Sequence, residues 1–209
     1  MSERPIIDAG PALNFFSINK ERLLIGTMGR LTTTETVERE VLRKARTDSR
    51  FAPAEAVWKK VAPNFLEVRS DDTTPALEAV VVRLTGLPMA KRMQSPKDLG
   101  ETMVISHAVV AAEAGADVII IIDEGDGAKL ASSEARRLDR LRGQGRVVGS
   151  VRLVSSLIIL ERAAGSEHVP DKSSMREIYA RLRSCDDGLI PIERTRLLSP
   201  NLWATHRSP

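Results

Sequence analysis

Five acids of this chain stand where acids can do chemistry. Asp8 follows the apolar run Pro5-Ile6-Ile7, Asp98 and Glu101 open a long Ala/Val-rich segment, and Asp123 and Asp126 follow the isoleucines of "VIIIIDEGDG", with Glu124 between them. In open parallel α/β sheets, ligands gather beyond the carboxyl ends of the strands. A carboxylate there is desolvated, and costly unless something compensates it. Asp98 and Glu101 are three apart around a helix start and project from neighbouring positions on one face. Glu38 and Glu40 are two apart and do not share a face, so only one of them can point to the same place. If such acids converge, their repulsion raises their pKa values. A divalent cation removes that difficulty: Mg²⁺ or Mn²⁺ takes carboxylate oxygens and keeps waters in its remaining positions. A bound ion of this kind activates water and neutralises phosphoryl charge, which is the chemistry of phosphodiester hydrolysis. Gly125 and Gly127 would let backbone or ligand come close.

Each acid also has a structural reading. An Asp after a strand, such as Asp123, is more often a cap or turn former than a ligand. Asp98 suits a helix N-cap, with Glu101 completing a capping-box-like pair. Glu35, Glu38 and Glu40 could form a solvated helix face. Spacing alone leaves a metal site of several acids the less common outcome.

The elements that must hold these groups are read from periodicity and punctuation. Residues 5–7 form a short buried strand, and residues 12–16 open a helix. Residues 22–25 are a second apolar run. Residues 31–33 are extended, and Thr34 caps a helix over 35–45 with Val37, Val41 and Leu42 on one face. Pro53 starts a helix that Pro63 ends. Residues 65–68 alternate as a strand, 77–84 form a helix, and 86–97 form a basic loop. A long helix ends near Gly115. The run 117–122 cannot alternate apolar with polar, so both its faces must be covered, as in a central parallel strand. A charged helix over 128–141, a strand at Val147-Val148, a helix over 153–164 and a helix over 174–184 complete the series. Residues after Pro191 read as a peripheral tail. Strands alternating with helices predict a three-layer α/β/α sandwich with a mostly parallel central sheet.

Bulk composition agrees with one globular domain. The chain has 209 residues, 42% of them hydrophobic and only 3% aromatic, so its core must be aliphatic. Lys and Arg total 31 against 28 acids, a net charge of +3 that favours an anionic partner only slightly. The single cysteine, Cys185, permits no intrachain disulfide and fits a reducing compartment. No signal peptide and no apolar run long enough to cross a bilayer are visible, so the expectation is a soluble, cytoplasmic protein without a membrane partner.

The motifs "PIIDAGPALNFF", "TTTETVEREVL", "DLGETMVISHAVVAAEAGADVIIIIDE" and "GSVRLVSSLIIL", in that order, resemble a PIN domain, the nuclease fold of VapC-type toxins. The likeness is to the branch whose long helix opens with Asp-x-Gly-Glu and whose next strand ends in Ile-Asp. It covers residues 5–164, and "GLIP" at 188–191 is similar to the end of that branch. Residues 165–209 would then be a C-terminal helix and tail packed on the same domain. The resemblance implies acids converging on Mg²⁺ or Mn²⁺ to cut RNA, with Asp8, Glu40, Glu101 and Asp123 as catalytic and metal-binding residues. Asp98 and Asp126 are near alternatives. Lys91 and Arg92 of the basic loop, with Arg43 and Lys44, would grip the RNA phosphates. An antitoxin protein and a second copy of the chain are the partners it implies. The chain departs from the family pattern in delaying the basic residue after the last acid to Lys129. A PIN-like module that binds protein or RNA without catalysis stays open, as does an RNA-processing nuclease that is not a toxin.

The remaining candidates carry less. His107 lies inside the Ala/Val helix and reads as packed or superficial, while His168 and His206 fall in loops. The Arg136-Arg137-Arg140-Arg142 cluster reads as a solvated helix face. There is no P-loop or dinucleotide fingerprint, and the order of acids and lysines does not assemble a receiver-like phosphorylation switch.

Overall fold

Two isoleucines with no exposed surface, Ile6 and Ile7, form β1 (Ile6–Ile7) at the centre of the sheet. In the computed structural model, which describes residues 3–62, 64–123, 125–186 and 188–204, five parallel strands run in the order β3-β2-β1-β4-β5. The other strands are β2 (Leu31–Thr34), β3 (Leu66–Arg69), β4 (Asp117–Ile121) and β5 (Ser150–Val154). The expectations placed on Pro63, Glu124 and His206 lie outside the described residues.

Parallel neighbours need crossovers, which the helices before β5 supply, and further helices follow that last strand. The helices are α1 (Ala9–Ser17), α2 (Glu21–Met28), α3 (Glu35–Thr47), α4 (Pro53–Val61), α5 (Pro75–Thr85), α6 (Met89–Arg92), α7 (Leu99–Glu113), α8 (Asp126–Gly143), α9 (Ser156–Ala163), α10 (Lys172–Cys185) and α11 (Pro200–Ala204). The expected three-layer α/β/α sandwich is present, with a sheet that is wholly rather than mostly parallel. Helix α7 packs on β4, α5, α8 and α3, whereas α1 packs on α4 and α10, and α2 on α9. Ile120 and Ile121 are completely buried and Val118 nearly so, as a doubly covered strand requires.

The reading of residues 147–164 needs correction. Val147 is 92% exposed and forms no strand. The strand is β5, pairing from Asp117↔Ser150 to Ile121↔Val154, and the helix begins only at Ser156. The cause is local: the Ser155 hydroxyl accepts the Ile158 N–H at 3.4 Å, so the cap stops the strand where a run of apolar letters gave no break. Residues 22–25, read only as an apolar run, lie within α2, and the basic loop holds the short helix α6. The segment after Pro191 is not wholly peripheral, because Leu197 is fully buried and its carbonyl accepts the Trp203 Nε1–H at 2.8 Å. Met175, Ile178, Tyr179 and Leu182 of α10 belong to the same apolar cluster as Ile6 and Ile120. Arg136, Arg140 and Arg142 of α8 are exposed, as a solvated face requires, whereas Arg137 is half-buried and binds Glu134 and Glu113, which Arg83 of α5 also joins.

Gly149 sets the approach to β5. A Cβ there would stand 1.9 Å from the Ala116 carbonyl oxygen and 2.3 Å from its carbon, and backbone atoms cannot step aside. Gly149→Ala should therefore cost about 3 kcal/mol, the upper part of the range for forced overpacking. Gly143→Ala, where a Cβ meets nothing within 4 Å, should leave stability unchanged or slightly higher. Urea unfolding of the two variants checks this; equal midpoints would refute the close approach.

Candidate functional site

The chain leaves β1 toward β2 and β3, then returns through α7 to β4 on the opposite side of β1. The sheet's topological switch therefore lies at the carboxyl end of β1, the place where open α/β sheets form a crevice. A cleft of about 610 Å³ opens there, lined by Asp8 and the first turn of α1, by α3, and by the segment leading into α7.

Asp8 forms its floor. It is the residue before α1 and only 6% exposed, and its Oδ1 has no hydrogen-bond partner. Burial pushes its carboxyl up to about 7, against the Ala9 and Gly10 amides, and the charges of Glu101 and Glu40 add to the rise. Glu101, in the first turn of α7, is also raised by burial and then by Asp98 and Glu40, while the Gly127 amide opposes the change. Glu40 lines the wall from α3 and pairs with Lys44 at 2.9 Å.

Two glycines let these carboxylates approach. A Cβ on Gly100 would lie 2.9 Å from Glu40 Oε2 and 3.6 Å from Asp8 Oδ1. One on Gly127 would lie 2.3 Å from Glu101 Oε2. The expected role of Gly127 in close approach is met by an acid of the same chain, whereas nothing lies within 4 Å of a Cβ on Gly125. Asp98 lines the cleft with a left-handed backbone, φ 53°, and makes no side-chain cap bond, so the capping-box reading does not hold for it. Asp126 stays near enough to raise Glu101, but its own side chain is 91% exposed and pairs with Lys129 at 2.7 Å.

Asp123 is placed differently. Its Oδ1 accepts the Ser156 N–H at 2.7 Å and its Oδ2 the Ser156 hydroxyl at 2.8 Å. The Asn14 amide reaches Asp123 Oδ2 at 3.4 Å and Asp186 Oδ2 at 2.9 Å. Asp123 and Asp186 thus line a second cavity of about 100 Å³, and burial followed by Asp186 raises the Asp123 carboxyl despite the Ser156 bonds. The reason is alternation: Ile122 faces Gly127 beside Glu101, and the next side chain in extended backbone turns to the opposite face.

Among the basic candidates, Arg43 and Lys44 line the cleft. Lys91 is exposed and does not line it. Arg92 is buried, its guanidinium donating to the carbonyls of Ser95 at 2.6 Å and Lys97 at 2.7 Å and to the Thr102 hydroxyl at 3.0 Å. Those bonds shape the loop before α7 and leave Arg92 poorly placed to hold a ligand. His107 is neither idle nor catalytic in position; its Nε2 lies 3.0 Å from Asp71 Oδ1. Cys185 is a buried free thiol.

Sequence reasoning missed Arg39 and Thr36, which line the cleft, and Asn14 and Asp186, which engage Asp123. Asn14 was findable, being an amide inside the apolar stretch "ALNFF" and only 2% exposed. Asp186 and Asp71 carry no local signal.

Asp8, Glu40 and Glu101 thus share one cleft, yet among the described residues no three His, Cys, Asp or Glu side chains form a ready-made metal cluster. The donor set still fits Mg²⁺, which is commonly bound through one or two carboxylates plus waters, and the unpartnered Asp8 Oδ1 is the oxygen available to it. No helix among the described residues is long and apolar enough to cross a membrane. No family model, curated protein or solved structure matches the chain.

The Asp8 carboxyl has a measurable signature in metal-free buffer. Its ordinary value is 3.8 and its folded value about 7, so between them the folded chain keeps a proton that the unfolded chain releases. Its contribution to stability is complete below pH 3.8, falls as pH rises toward 7, and is level above that. Asp8→Asn should match the wild type near pH 4 and exceed it by roughly 4 kcal/mol near pH 8. Denaturant titrations at the two pH values test this; a difference independent of pH would show that Asp8 titrates normally.

Proposed function

We propose that the chain is a metal-dependent endoribonuclease, a hydrolase of RNA phosphodiester bonds, acting as the toxin of a toxin-antitoxin pair. The observation that carries this reading is the buried Asp8 carboxylate, with one oxygen unpartnered, facing a cleft shared with Glu40 and Glu101. Such crowding is unfavourable for bare carboxylates and favourable around a cation. Asp8 and Glu101 would hold Mg²⁺ or Mn²⁺, with Glu40 accepting from its waters. A bound ion of this kind supplies an activated water and neutralises charge on the phosphoryl oxygens. Arg43 lines the cleft wall, available to take the strand's phosphates, beside Lys44, which pairs with Glu40. The motif resemblance supplies the remaining parts of the proposal: an antitoxin partner, a homodimer and a cytoplasmic location.

A second reading is a non-catalytic module of the same fold. The engagement of Asp123 with Ser156 and Asn14, beside a second cavity, favours it.

Two measurements separate them. In the nuclease reading, Mn²⁺ raises the melting temperature of the wild type and not of Asp8→Asn. RNA cleavage in Mg²⁺ or Mn²⁺ should stop in EDTA and fall by more than roughly 100-fold in Asp8→Asn, since even partners behind a metal ligand cost 10–100-fold. Equal cleavage by both proteins, or cleavage persisting in EDTA, would dismiss the nuclease. The Mn²⁺ stabilisation would dismiss the inert module.

A further inference from the structure

Helix α3 turns Thr36, Arg39, Glu40, Arg43 and Lys44 toward the cleft. Glu40 is paired with Lys44 at 2.9 Å. That leaves Arg39 and Arg43, one turn apart, without an acidic partner among the described residues. Like charges at this spacing work against a helix, so the arrangement gains when an anion arrives.

Arg39 is also oriented. Its Nη2 donates to the Thr36 hydroxyl oxygen at 3.0 Å. That hydroxyl donates to Asp71 Oδ2 at 2.6 Å, and the Thr36 N–H donates to the same oxygen at 2.7 Å. The other Asp71 oxygen faces His107 Nε2 at 3.0 Å, and the Asp71 N–H donates to Glu35 Oε2 at 3.1 Å. The Asp71 side chain is 2% exposed, and despite that burial the bonds from His107 and Thr36 hold its carboxyl below the ordinary range. Thr34 already caps α3 by accepting the Val37 N–H at 3.3 Å. Asp71 therefore does more than close a helix end: it fixes the one hydroxyl on which Arg39 rests. The other N–H groups of Arg39 make no hydrogen bond among the described residues, and a guanidinium so aligned is suited to a phosphate. The unpartnered Asp8 Oδ1 lies in the same cleft, an independent sign that a ligand belongs there.

We propose that Arg39 anchors a backbone phosphate of the bound RNA beside Asp8 and Glu101, and that Thr36, fixed by Asp71, is its positioning residue. This rests on the reading that the cleft takes RNA. The test measures binding apart from cleavage, by fluorescence anisotropy of a labelled single-stranded RNA oligonucleotide in EDTA across a salt series. Arg39→Gln should weaken binding about ten-fold, as loss of a charge-assisted bond does, and lower the slope of log affinity against log salt by about 0.7. Thr36→Val should weaken it less, Thr36→Ser should restore it, and Thr36→Val should add nothing in the Arg39→Gln background. Unchanged affinity and slope in Arg39→Gln, or fully additive losses in the double variant, would overturn the proposal. Arg39-dependent binding by a protein that cuts nothing would leave the anchor standing and end the nuclease reading. Cleavage with Arg39-independent binding would do the reverse.

Discussion

The site depends on a two-residue strand that ends in a carboxylate. Because β1 is flanked by parallel neighbours on both sides, its carboxyl end is the point from which the chain departs one way and to which it returns on the other. Helices α1 and α3 follow β1 and β2 directly, and α7, which precedes β4, starts beside them. The first turn of α1, the exposed side of α3 and the start of α7 thus form its walls. Asp8 cannot retreat from this position, because the two preceding residues have no exposed surface and its own N–H is tied to the Ile121 carbonyl at 3.0 Å. A charge buried and held that rigidly must find a counter-ion, take up a proton or remain unfavourable.

Two glycines make room for the acids that gather near Asp8. Gly100 and Gly127 stand where any side chain would strike Glu40 or Glu101. The two glycines belong to different elements, α7 and α8. Burial raises both Asp8 and Glu101, and the like charges that these small residues let lie close add to the rise. Lys44 offsets part of the charge at Glu40.

Helix α3 mediates between this acidic floor and an anionic ligand. It carries Glu40 downward and two arginines at the rim, and its first turn is held by Asp71, which His107 on α7 supports in turn. One network therefore couples the two helices that deliver Glu40 and Glu101. The Asp123–Asn14–Asp186 group does comparable work on the other face, tying the end of β4 to α1, α9 and the segment after α10.

Much of the framework was legible in local pattern. Buried isoleucine runs marked β1 and β4, Thr34 marked the start of α3, and the alternation of strands with helices implied a parallel sheet between helical layers, since each is a short-range consequence of side-chain type and period. The acids at strand ends and helix starts were legible for the same reason. Other outcomes needed the third dimension. Alternation beyond β4 sent Asp123 to the opposite face from Ile122, and only packing against Asn14 and Ser156 could reveal where it went. Arg92, one basic letter among several in its loop, became a buried clamp because three acceptors folded around it. The Thr36 hydroxyl that Arg39 touches is fixed by an aspartate more than thirty positions away. Sequence determined which groups were available and the period on which they repeat; contacts between distant segments decided which of them meet, because burial and hydrogen-bond partnership are properties of the packed chain.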